Sequence, residues 1–253
     1  MTRYKTALVT GSARRLGAGI AQTLAECGFS VAVHANQSRD EAQKLVSKLT
    51  DAGHRAKVFE ADLGIHEQAC GLIDYVNAAM GPIDLLVNNA SVFRNDSVSQ
   101  IDMENFDEHF AIHVKAPLLL SEAFARQLPE DGNGLIVNMI DQRIWALTPN
   151  FFTYTLSKST LWTATQTMAQ ALAPRIRVNA IGPGPTMKNS RQNDADFQSQ
   201  VDRLILRRGP EIAEIGQTIR YLYETPSLTG QMIALDGGQH LAWETPDVTG
   251  INE

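Results

Sequence analysis

Two side chains are spaced for proton chemistry. Tyr154-Thr155-Leu156-Ser157-Lys158 opens a long helix-like segment, and residues four apart share one helix face. Tyr154 and Lys158 therefore project together, with the ammonium near the phenol. A nearby positive charge stabilises phenolate, so the pairing predicts a tyrosine pKa lowered toward the working range of an acid catalyst. Asp141 lies thirteen positions earlier, where the apolar run Leu135-Ile136-Val137-Asn138-Met139-Ile140 leaves the core. It has two readings: a turn aspartate, a common role for that residue type, or a carboxyl paired with Tyr154 in proton delivery.

A second constellation suits phosphate. Thr10-Gly11-Ser12-Ala13-Arg14-Arg15-Leu16-Gly17 stands between the strand-like Ala7-Leu8-Val9 and a helix-like run from Ala18. Backbone N–H groups at the start of such a helix face a phosphate, and the helix dipole favours negative charge there. A nucleotide-binding turn usually carries a third glycine, and here Arg15 holds that place with Arg14 before it. Two cations in a phosphate loop point to a ligand with extra negative charge. Glycines also punctuate turns for purely structural reasons, so the spacing of Gly11 and Gly17 is not decisive alone.

The elements that must position these groups alternate along the chain. Apolar strand candidates fall at 7–10, 31–34, 56–60, 85–88, 135–139, 177–181 and 232–235, with helical stretches such as 39–52 and 66–80 between them. Short apolar strands separated by helices predict a single α/β domain over 1–239, a Rossmann-type doubly wound parallel sheet of about seven strands with helices on both faces. Two segments break the rhythm, a polar loop at 183–197 and an irregular tail at 240–253. Ligands bind at loops past the carboxyl ends of parallel strands, although most loops are plain surface connections.

Composition narrows the function classes. A net charge of −6 over 253 residues argues against a general nucleic-acid binder. Two cysteines, Cys27 and Cys70, are too few for a disulfide scaffold or a zinc site, so no metal is expected. The first strand candidate starts close to Met1 and no apolar run is long enough to span a bilayer, which predicts a cytoplasmic protein without a membrane partner.

Taken in order, Thr10 to Gly17, Asp62-Leu63, Asn88-Asn89-Ala90, Tyr154 with Lys158, Pro183-Gly184 and Thr229-Gly230-Gln231 before Asp236-Gly237-Gly238 resemble the short-chain dehydrogenase/reductase family over nearly the whole chain. Arg15 in place of the middle glycine, Asp141 in place of the usual catalytic serine, and Phe93 after Asn89-Ala90-Ser91-Val92 are similar to pteridine reductases and the related dihydromonapterin and dihydrofolate reductases. That resemblance implies catalytic roles for Asp141, Tyr154 and Lys158. It places Gly11, Arg14, Arg15, Leu16, Gly17, Asp62, Leu63, Asn89, Ala90, Ser91, Tyr154, Lys158, Pro183 and Gly184 at the cofactor. Arg15, Ser91, Phe93, Asp141 and Tyr154 would meet a pterin-like substrate, with Phe93 stacked on its ring; the residue-level alternative for Phe93 is a hydrophobic loop anchor. His113 stands where most of the family has an asparagine supporting a water relay to the lysine. It either holds that water or is a satisfied core histidine.

The end of the second strand selects the cofactor. NAD-specific folds place an acid there, but this chain reads His34-Ala35-Asn36-Gln37-Ser38. His34, Asn36 and Ser38 are candidate donors to a 2′-phosphate, with charge added by Arg14, so NADPH is expected. The expected reaction is NADPH-dependent reduction of a pterin-like C=N bond. The alternatives are a carbonyl reductase or alcohol dehydrogenase of the same fold, and a non-catalytic NADPH-binding protein. The resemblance further implies a homotetramer built through helices near 103–128 and 152–172, with the tail at a subunit interface.

Overall fold

The computed structural model describes residues 5–188 and 192–244. Seven parallel strands form one sheet in the order β3-β2-β1-β4-β5-β6-β7. They are β1 Thr6–Val9, β2 Ser30–Ala35, β3 Ala56–Glu60, β4 Ile83–Asn88, β5 Gly134–Met139, β6 Ile176–Pro183 and β7 Met232–Leu235. Each of the seven apolar runs read from the sequence is a strand. Five of them are buried along nearly their whole length, because helices cover both faces of the sheet.

Alternation along β1 sorts its residues between two cores. Ala7 and Val9 join Ile20, Leu24, Ile215 and Ile219 from α1 (Arg15–Glu26) and α8 (Ile212–Glu224). Leu8 joins Leu72, Ile73, Leu120 and Phe124 from α3 (His66–Met80) and α5 (Ala116–Gln127). The remaining helices are α2 (Arg39–Asp51), α4 (Met103–Phe110), α6 (Phe152–Leu172) and α7 (Asp194–Asp202). The chain leaves β1 toward β2 on one side, while β4 pairs with β1 on the other, so a crevice opens past the carboxyl ends of β1 and β4.

The helical stretch expected near 103–128 is interrupted. A π turn, Ala111–Lys115, separates α4 from α5, and the Ala116 N–H reaches the Ala111 carbonyl five residues back. Pro117 has no N–H to offer the His113 carbonyl, which an α-helical turn would require. Helix α6 runs from Phe152 to Leu172 as expected, but Phe151 at its start has a left-handed backbone (φ 57°) and no capping side chain. Its cap comes from the loop after β4. Asp96 accepts the Thr153 N–H at 3.0 Å and the Thr153 hydroxyl, and Asn95 accepts the Phe151 N–H at 3.2 Å. Among the described residues, no helix is long and apolar enough to cross a membrane.

Candidate active site

The glycine loop is held by its own polar groups. The Thr10 hydroxyl accepts the N–H groups of Asn89 and Ala90, each at 2.9 Å, and the Asn89 amide donates to the Thr10 carbonyl at 2.8 Å. Gly11 has φ +61°, and a Cβ there would lie 2.9 Å from Ala90 Cα. A Cβ on Gly17 would come within 2.4 Å of the Gly11 carbonyl oxygen, so neither position admits a side chain. Arg15 also adopts a positive φ, 52°. That backbone costs a non-glycine residue about 1–2 kcal/mol. Its guanidinium donates to the Lys188 carbonyl at 3.1 Å, bridging the loop to the segment after β6.

Helix α1 starts here without a side-chain cap and without an acid in its first turn. Its exposed N–H groups and positive dipole end are therefore not neutralised by the protein. With Arg14 and Arg15 beside it and Cβ atoms excluded at Gly11 and Gly17, this cradle fits a dinucleotide's phosphates. Asn36 is exposed and Ser38 half-buried at the end of β2, and the Ser38 hydroxyl makes no cap bond to α2.

His34 departs from expectation. Its Nδ1 accepts the Gly11 N–H at 2.9 Å, so Nε2 carries the hydrogen given to the Ala61 carbonyl at 3.0 Å. Burial lowers its pKa to about 4 and keeps it neutral. Both ring nitrogens are spent inside the protein, and the ring has no donor left for a 2′-phosphate. The ring is held between the glycine loop and Ala61, while Asn36 stands past the end of β2. Asp62 is half-buried just past β3, one carboxylate oxygen accepting the Gly64 N–H at 2.9 Å, and Leu63 is buried beside it.

Across the crevice, β5 delivers Asp141 to Tyr154. The phenol donates to Asp141 Oδ2 at 3.0 Å, and Asp141 Oδ1 accepts the Arg143 N–H at 2.8 Å. Lys158, one turn along α6, donates to the Met139 carbonyl at 2.8 Å, and its Nζ lies 5.7 Å from the Tyr154 ring centroid. Burial raises the Asp141 pKa against the opposing pull of Arg143. Burial brings Lys158 down to about 8. The Tyr154 pKa is raised well above its ordinary value, by burial and then by the charge and hydrogen bond of Asp141. This reverses the expectation that Lys158 would lower it. The lysine head is committed to a main-chain carbonyl, and the charge that meets the phenol is the carboxylate. The cation opposing the rise is Arg143.

His113 is not a cleft residue. Its Nε2 accepts the Val92 N–H at 3.2 Å and lies 2.9 Å from the Ser91 hydroxyl, while Nδ1 donates to Ser157 Oγ at 2.8 Å. Ser157 in turn donates to the Tyr154 carbonyl at 2.8 Å. Burial and the Lys158 charge hold its pKa well below the usual value. With both nitrogens engaged, the ring is a positioning group beneath Tyr154 rather than a catalytic one. His109, four residues earlier, is likewise fully buried and accepts the Arg94 N–H at 3.4 Å. The sequence reading passed over His109, although the four-residue spacing of the two histidines on one helical segment was its signal.

Phe93 projects toward the same centre. It stacks on Phe151 at 4.3 Å with planes 6° apart and meets Tyr154 edge-on at 4.7 Å. The Arg143 guanidinium lies 5.0 Å from the Phe151 centroid. Phe151, Gln142 and Arg143 were not singled out from the sequence; Gln142 and Arg143 lie in a short 3-10 turn, Gln142–Ile144, and Phe151 stacks on Phe93, which is distant along the chain. One cleft of about 1980 Å³ collects Gly11, Arg14 to Gly17, Asn36, Ser38, Asp62, Leu63, Asn89 to Phe93, Asp141 to Arg143, Phe151, Tyr154, Lys158, Pro183 and Gly184. Backbone crowding shapes its floor at Gly184, where a Cβ would lie 2.6 Å from Asp236 Cα. The C-terminal turn Gln239–Leu241 reaches the same cleft within its own chain. Gln239 lines it, and His240 packs 5.3 Å from the Trp145 ring while bonding Asp236 at 2.7 Å. The parts of the polar loop at 189–191 and of the tail at 245–253 lie outside the described residues.

The sheet order, the glycine loop at α1 and the Tyr–Lys pair on α6 define a Rossmann-type oxidoreductase. The short chain dehydrogenase profile matches residues 5–199, and the chain belongs to that family. Among solved structures it is similar to FolM alternative dihydrofolate reductase 1 from Brucella suis in complex with NADP, at 55% identity and a TM-score of 0.95, covering 98% of this chain and 100% of that one. A blue fluorescent protein from a metagenomic library, in complex with NADPH, aligns at 29% identity with a TM-score of 0.86 over 93% of this chain and 98% of its own. The 3-oxoacyl-[acyl-carrier-protein] reductase FabG of Staphylococcus epidermidis is 28% identical over 243 residues, 94% of this chain and 99% of the relative.

Proposed function

We propose that this chain is an NADPH-dependent reductase of a pterin-like C=N bond, taking a dihydropterin to a tetrahydropterin. The observation that carries the reading is the hydrogen bond from Tyr154 to Asp141, 3.0 Å long, in the cleft that Phe93 also lines. The 55% identity to a dihydrofolate reductase crystallised with NADP supports it. The α1 N-terminus, Arg14, Arg15, Asn36 and Ser38 would hold the dinucleotide, with Asp62, Leu63, Asn89, Ala90, Ser91, Lys158, Pro183 and Gly184 along its length. The cofactor supplies hydride to carbon when bound.

The chain's own contribution is orientation and a proton. Phe93 offers a flat apolar surface to a planar ring, and Arg15 and Ser91 offer polar contacts at its edge. Tyr154 is a firmly protonated donor, and Asp141, raised by burial, is a carboxyl able to take up and return a proton beside it. Together they deliver a proton to a ring nitrogen. A carboxylate at position 141 would repel the alkoxide that carbonyl reduction develops, which disfavours the carbonyl-reductase reading.

The decisive assay is loss of NADPH absorbance with dihydrobiopterin, dihydromonapterin and dihydrofolate, against simple ketones as controls. Turnover of at least one dihydropterin is expected, with NADPH bound far more tightly than NADH. Turnover of ketones alone would overturn the assignment. A homotetramer belongs to the same reading. Leu118 on α5, Leu156 on α6 and Leu241 and Trp243 of the tail are exposed in a single chain, where subunit contacts would cover them. Sedimentation at micromolar concentration tests it, and a monomer alone would count against it.

A further inference from the structure

Phe93 has to hold one orientation if a ring stacked on it is to present a nitrogen to Tyr154. Its side chain meets Phe151 and Tyr154, but its backbone is held from another direction. The Val92 N–H donates to His113 Nε2 at 3.2 Å, and the Arg94 N–H donates to His109 Nε2 at 3.4 Å. These are the amides of the residues directly before and after Phe93. His109 lies in the last turn of α4 and His113 in the π turn that follows, with ring centroids 5.5 Å apart. Both histidines are fully buried, whereas Val92, Phe93 and Arg94 line the cleft.

The hydrogens on the two rings are fixed by their inner partners. His109 Nδ1 donates to the Asn105 carbonyl at 2.7 Å. His113 Nδ1 donates to Ser157 Oγ, whose own hydrogen goes to the Tyr154 carbonyl. Nε2 is therefore a bare acceptor in both rings, the only state in which it can take a backbone N–H. Burial lowers both pKa values, and the Lys158 charge adds to the effect at His113, so both rings stay neutral. An apolar side chain of similar size would fill the same space but leave the two amides without these acceptors. The ion pair of Arg94 with Glu108 on α4, 2.8 Å long, joins the same segments, but it is partly exposed and adds little.

We propose that His109 and His113 are paired positioning residues for substrate binding: their Nε2 atoms clasp the backbone on both sides of Phe93 and so set the aromatic platform against Tyr154. The identity of the stacked ring rests on the dihydropterin-reductase reading; the clasp itself does not. Opening the clasp should weaken substrate binding and leave the cofactor in place.

The test compares the full-length wild type with His109→Leu, His109→Gln, His113→Leu and His113→Gln. A glutamine amide carries an acceptor and a donor on one carbon, as an imidazole does, so it can renew the clasp where leucine cannot. Two readouts are taken: KM and kcat for dihydrobiopterin with NADPH, and hydrogen exchange of the Val92 and Arg94 amides by NMR in the NADP-bound protein. Each leucine variant should raise KM by about tenfold, the scale of one lost hydrogen bond, and speed exchange of its own amide by a similar factor, Arg94 for His109 and Val92 for His113. NADP affinity should stay within a few-fold, and each glutamine variant should return both readouts close to wild type. In His109→Leu kcat should hold. His113 also reaches Ser157 beneath Tyr154, so there kcat falls with KM, and recovery of KM in His113→Gln is the deciding comparison. Leucine variants in which either readout is unchanged overturn the clasp, and so do glutamine variants as impaired as the leucine ones. If a leucine variant does not fold, as judged by thermal midpoint and NADP affinity, asparagine takes its place, because its amide stops one carbon short of the loop. KM and exchange should then shift in the same direction by a smaller factor, and unchanged values are equally fatal. A wild type that reduces no dihydropterin overturns the reductase reading. Exchange then decides the clasp alone: faster exchange in the leucine variants upholds it, and equal exchange overturns it.

Discussion

The two walls of the cleft spend their polar groups in opposite ways. At the glycine loop, Thr10, Ser12, His34 and Asn89 bond to one another's backbones, leaving main-chain N–H groups and two arginines for a ligand. Past β5, the polar groups converge on one another, Asp141 on Tyr154 and Arg143 on Phe151, while the Gln142 side-chain oxygen is buried without a partner. A saturated wall recognises a ligand by shape and by helix-end charge. An unsaturated wall recognises it by individual side chains, and it is where a single substitution should change chemistry rather than fold.

The contrast is tested most severely at Tyr154. Tyr154→Phe should lower kcat by about 10²–10⁴, the usual scale for a general acid, while NADPH affinity stays within a few-fold. Survival of turnover would move the proton source elsewhere. Asp141→Ser should cost about 10² or more in dihydropterin reduction with cofactor binding intact. A variant that still works normally would reduce Asp141 to a turn residue.

On the saturated wall the largest effect should be on stability. The folded His34 has a pKa of about 4 against 6.5 for a free histidine, so between those values the unfolded chain binds the extra proton. Stability from His34 is therefore complete above pH 6.5 and lost as pH falls toward about 4, a change on the order of 3 kcal/mol. Denaturant titrations across that range should show the slope, and His34→Gln should flatten it. An identical slope in the variant would assign it to other groups.

A smaller effect is expected where the two walls meet. Asp96→Ala removes the cap of α6 and should cost about 1–2 kcal/mol, read as a thermal midpoint lower by several degrees. Smallest of all, Arg14→Ala should weaken NADPH binding by about tenfold and leave NADH binding unchanged. The exposed contact of Arg14 with Glu41, at 3.9 Å, adds little that its loss would disturb. Equal losses for both cofactors would mean that Arg14 does not face the 2′-phosphate.

The sheet was legible because strands buried on both faces read as apolar runs, and Val31 to Ala35 or Leu135 to Met139 show it without any partner in view. Tyr154 and Lys158 were legible because a helix turn is a local ruler. Arg15 was noticed as a charge in a glycine's place, while its positive φ of 52° is what the structure adds. What spacing could not tell was direction and depth. His34 and His113 carry the right atoms but face inward, and the phenol of Tyr154 is governed by Asp141 more than by the lysine beside it. Arg143, Phe151 and Asp96 meet partners set by the packing of loops, which no local period encodes.

The cap of α6 has a consequence for how the protein assembles. Asp96 and Thr153 are 57 residues apart, so the turn carrying Tyr154 cannot be completed by its own neighbours. A nascent helix at 152–172 would be weakly held at this end, since the Phe151 side chain supplies no cap and its backbone is left-handed. The cap that completes this turn is supplied by the loop after β4, and that loop also carries Phe93, so the proton donor and the aromatic platform share one set of long-range contacts and stand or fall together.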